Sequence, residues 1–61
     1  MSPGDQADNL LEWAFKDPSA NAASAYQQLN EIAAGGVEDP DELARVQDAT
    51  TTVRRLIPVA R

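Results

Sequence analysis

The sequence predicts an all-α fold, a compact three-helix bundle. Three observations carry this reading. Each of three prolines follows a residue suited to cap a helix, each of these starts is followed by apolar residues at helical spacing, and a glycine pair and a late proline supply stops. The starts are Ser2-Pro3, Asp17-Pro18 and Asp39-Pro40. A Ser or Asp side chain can accept a hydrogen bond from the exposed amides of the first turn. Proline suits the position after it, because its fixed φ is helical and its missing N–H is not needed there.

In the first segment Ala7, Leu10, Leu11, Ala14 and Phe15 follow a three-and-four rhythm and should share a buried face. Asp5 stands at the third helical position, where a carboxylate favours the free amides. The second segment repeats the rhythm with Ala22, Ala25, Tyr26, Leu29, Ile32 and Ala33, then meets Gly35-Gly36, where a left-handed cap is accessible. The third offers Leu43, Val46, Thr50, Val53, Leu56 and Ile57, with Ala49 beside the stripe and Glu42 completing a near capping box with Asp39. Pro58 stops it. Ala49-Thr50-Thr51-Thr52-Val53 is its weakest section, since branched side chains lose rotamer freedom and hydroxyls compete for backbone groups, so a bend or break near Thr50–Thr52 is the main structural alternative. Three short amphipathic helices bury their stripes most economically against one another.

Sixty-one residues fit a single domain, 1–61, with 58–61 as a short tail, near the lower size limit for a chain that folds alone. The abundant alanines imply close helix approach and a small core. No cysteine is present, so neither a disulfide nor a thiolate metal site adds stability. No charged leader precedes an apolar run and no segment is long enough to cross a bilayer, which sets the expectation of a cytoplasmic protein without a membrane partner.

Charge is divided along the chain. The formal total is -5. Residues 1–42 hold nine acids and one base (net -8), whereas residues 43–61 hold one acid and four bases (net +3). Such a bipolar chain can orient a complementary surface or pair antiparallel with itself.

Chemistry finds little support. Histidine and cysteine are absent, and Ser2, Ser19 and Ser24 lie in no activating motif, so the chain is expected not to be an enzyme and to need no cofactor. Glu38, Asp39, Asp41 and Glu42 carry oxygen ligands but lack the spacing of a calcium loop, and Asp39 is already accounted for as a cap, so no metal is expected. Arg54 and Arg55 occupy the last helical turns, where cations complement the helix dipole. Arg45, nine residues earlier than Arg54, falls on the opposite side of the helix. Nucleic acid is an unfavoured ligand, because the helix that would enter a groove begins with acids.

The expected function is therefore a non-enzymatic protein-binding module: a regulator, an inhibitor or a subunit of a larger assembly, whose partner is another protein or itself. Trp13 sits about 120° from the centre of the first stripe, at its edge or outside it, where an aromatic can cover the gap beside another helix or anchor a contact with a partner. Lys16 and Glu12 supply a polar rim. Arg54, Arg55, Leu56 and Val59 form a second candidate patch, basic and apolar together. A structural homo-oligomer is the alternative function, followed by a nucleic-acid regulator or an acidic nucleic-acid mimic.

Overall fold

The computed structural model of the chain describes residues 1–58. It is a three-helix bundle: α1 spans Pro3–Lys16, α2 Pro18–Ala34 and α3 Pro40–Leu56. Val59, assigned above to the C-terminal patch, and most of the expected 58–61 tail lie outside the described residues.

One steric rule accounts for nearly every boundary. A proline disfavours the helical region for the residue before it. Accordingly Ser2 (ψ 158°), Asp17 (ψ 82°), Asp39 (ψ 118°) and Ile57 (ψ 125°), which precede Pro3, Pro18, Pro40 and Pro58, all leave helical geometry. Three of the four cap a helix start with their side chains. Ser2 Oγ accepts from Asp5 N at 3.2 Å, Asp17 Oδ1 from Ala20 N at 3.3 Å, and Asp39 Oδ1 from Asp41 N at 2.9 Å. Asp17 is at once the last cap of α1 and the first of α2, so a single residue joins the two helices. Asn21 Nδ2 tightens this corner by donating to Trp13 O at 3.1 Å, satisfying a carbonyl that the end of α1 leaves free.

At the other end of α2, Gly35 keeps right-handed geometry and Gly36 turns the chain at φ 89°. Only the second glycine uses the left-handed region, and a side chain there would be strained. In α3 the alternative of an interruption is not taken: the helix runs unbroken through the threonines. Thr50 Oγ1 and Thr52 Oγ1 donate to the carbonyls of Val46 (2.7 Å) and Asp48 (2.9 Å), four residues back, so the hydroxyls bond inside the helix. Burial of Val46, Ala49 and Val53 on both sides of the run outweighs its poor propensity.

The bundle runs up, down, up. Residues 6–10 of α1 border residues 28–32 of α2, so those helices are antiparallel, and Arg45 near the start of α3 reaches Asp5 and Asp8 near the start of α1, so α1 and α3 are parallel. The buried core consists of Ala7, Ala14, Ala22, Ala25, Leu29, Val46, Ala49 and Val53, among which no side chain is larger than that of Leu29. Leu10, Leu11, Tyr26, Ile32, Leu56 and Ile57 pack around it half-buried.

Gly4 is also buried, for a different reason. A Cβ placed on it would stand 2.7 Å from Arg45 Nη1, so the guanidinium lies directly over the first turn of α1 on its way to the carboxylates. Gly4→Ala therefore displaces Arg45. Because exposed ion pairs contribute little and alanine improves on glycine in a helix by up to about 1 kcal/mol, the variant should melt no lower than the parent and depend less on salt. A thermal melt several degrees lower would show instead that the Arg45 contact holds α3 to α1.

Candidate protein-binding surface

The topology converts the charge division of the sequence into a difference between two ends of the molecule. Parallel α1 and α3 place both of their N-termini at one end, together with the C-terminus of α2. That end carries Asp5, Asp8, Glu31, Glu38, Asp39, Asp41 and Glu42. The other carries Lys16, Arg54 and Arg55, with Asp17 among them. Each set sits where the helix dipoles of α1 and α3 favour it, acids toward positive N-termini and bases toward negative C-termini. Lys16, from the acidic part of the sequence, joins the basic end, and Arg45, from the basic part, is drawn to the acidic one.

Arg45 forms an exposed cluster there, with Nη2 bonded to Asp8 Oδ2 and 3.4 Å from Asp5 Oδ1. Its pKa is raised above the usual guanidinium value, chiefly by the hydrogen bond to Asp8 and then by that carboxylate's charge. A raised value in a base means that Arg45 keeps its charge throughout the range below arginine's ordinary pKa and loses it only as pH climbs through the raised value. Arg45 is therefore no extension of the Arg54–Arg55 patch.

Apolar side chains at the surface give the second ingredient. Trp13 is 37% exposed, consistent with its place off the α1 stripe. Phe15, expected within that stripe, is 54% exposed instead. It occupies the last turn of α1, seven residues after Asp8 and so on the flank that faces α3 rather than α2. Leu56 is half-buried and packs against the core, whereas Arg54 and Arg55 are exposed; α3 brings all three to the end where α1 brings Lys16.

A groove that the sequence reading did not identify runs between α1 and α2. It has a volume of about 490 Å³ and is open to solvent. Leu10 and Ile32 supply its apolar lining, with Gln6, Asn9, Gln28 and Glu31 around them. Met1, 82% exposed, also lines it, its Sδ accepting from Asn9 Nδ2 at 3.3 Å. The signal for the groove was available only jointly: Leu10 and Ile32 each fit a stripe, and nothing in either helix alone says that the two flanks stand apart. Gln6, Asn9, Leu10 and Trp13 follow i, i+3, i+4, i+7 spacing, so Trp13 continues the same flank of α1 one turn beyond the groove.

Among the described residues no three His, Cys, Asp or Glu side chains are grouped to hold a metal ion, and no helix is long and apolar enough to cross a membrane. Comparison with protein-family models, with curated proteins and with solved structures returns no match to this chain.

Proposed function

We propose that the chain is a non-enzymatic protein-binding module that uses exposed apolar side chains for affinity and its charged ends for orientation. The observation that carries this reading is an inversion of side-chain size: the core is built largely of alanine, while Phe15 is more than half exposed and Trp13 more than a third. Burying either ring in the core would add apolar contact to a chain near the lower size limit for independent folding; placing both outside reserves that area for a partner. Lys16, Arg54 and Arg55 around one end favour a partner with an acidic, partly apolar face. Self-assembly is a second reading, favoured by the opposite charge of the two ends. The acids that open α3 continue to disfavour nucleic acid.

Immobilised chain and its Trp13→Ala and Arg54→Glu/Arg55→Glu variants, each first shown by circular dichroism to be folded, provide the test. A partner retained by the parent should be lost from Trp13→Ala, and its binding should weaken with salt. Equal retention of every bound protein by all three chains would refute the reading.

A further inference from the structure

We propose that the partner is a second copy of this chain. Two copies pair antiparallel across their α1–α2 faces, each placing Trp13 in the other's groove with Lys16 beside the other's Glu31. This rests on the reading of the Trp13 flank as a binding surface, and it names what binds there.

The face is complementary to itself. The groove, roofless and lined by Leu10 and Ile32, lies toward the acidic end, and Trp13 stands on the same flank roughly 7 Å further along the α1 axis toward the basic end. A two-fold axis through the point midway between them exchanges the two features. One rotation therefore seats both tryptophans at once, which is the condition for a closed pair with identical contacts on each side. The volume of 490 Å³ accommodates an indole, and the uncharged polar groups of Gln6, Asn9 and Gln28 make the surroundings those of an interface rim.

Charge selects the same orientation. Lys16 lies one turn beyond Trp13, away from the groove. Glu31 stands as far from the Asp17 turn along α2 as Pro3 does along α1, at the far end of the groove. The rotation that brings Trp13 into the partner's groove brings Lys16 to the level of the partner's Glu31, and it lays each basic end over the other copy's acidic end. A parallel pair would instead set like ends together.

Sedimentation of the full chain over roughly a thousandfold concentration range, with fluorescence recorded in parallel, tests this. Trp13 is the only tryptophan, so emission reports on this residue alone. The parent should pass from monomer to dimer with a blue shift of Trp13 emission, and Trp13→Ala should weaken dimerisation about a hundredfold, as loss of two buried anchors requires. Lys16→Glu and Glu31→Lys, at exposed sites that do not threaten folding, should each weaken it about tenfold, and the double exchange, which restores attraction in both symmetric pairs, should return it to within about threefold of the parent. A monomer at every concentration overturns the pairing, as does a double exchange no stronger than the single variants or a dimer whose formation leaves Trp13 emission unchanged. Those failures would leave the binding-module reading to the capture experiment, which fails on its own terms.

Discussion

Leu29→Ala is expected to destabilise the protein by about 3 kcal/mol, the largest effect of any single truncation in this chain. Leu29 is fully buried and is the largest side chain in the core, whose other members are five alanines and two valines. Removing it leaves a cavity in the core of a bundle whose total stability, at the usual range per residue, is roughly 3–9 kcal/mol, so the variant loses between a third and all of it. Urea unfolding followed by circular dichroism, at matched protein concentration, measures the loss. Phe15→Ala is the informative comparison. It deletes a larger group, yet with that residue 54% exposed the change should stay within about 0.5 kcal/mol. A loss below 1 kcal/mol for Leu29→Ala, or a larger loss for Phe15→Ala, would mean that stability resides somewhere other than the small core described.

Ala25→Leu should also destabilise, by about 1–3 kcal/mol, although it adds apolar surface to a protein with little of it. Ala25 has no exposed area, and the alanines of the core set how closely the helices approach. A side chain larger by three carbons finds no space and pushes the helices apart, which costs contacts across the whole core. Ala23→Leu, on the exposed side of the same helix, separates packing from propensity: alanine and leucine are nearly equal helix formers, so that change should be close to neutral. A thermal melt for Ala25→Leu at or above that of the parent would show that the alanine core is loosely rather than closely packed.

Both expectations depend on which alanines and which large side chains are inside, and here legibility from the sequence was uneven. The helix starts were readable because their causes are local. Ser2, Asp17 and Asp39 cap through their own side chains, and each following proline acts on the one residue before it. The Thr50–Thr52 run left a bend open as an alternative because local propensity alone does not weigh the buried Val46 and Val53 that hold it. Phe15 was misread because angular position on a helix tells only which way a side chain points.

The sequence by itself determined where three helices begin and end, the identity of most of the core, and the position of Trp13 beside rather than within the α1 stripe. These follow from dihedral restriction, side-chain capping and periodicity, which operate within a few residues. Tertiary structure alone decided that Arg45 joins Asp5 and Asp8, that Lys16 shares an end with Arg54 and Arg55, that Phe15 is left uncovered, and that Leu10 and Ile32 line a groove. Each of these depends on what a neighbouring helix presents at the same level along the bundle. That is settled by helix direction and by the length of the facing side chains, and no single segment carries either.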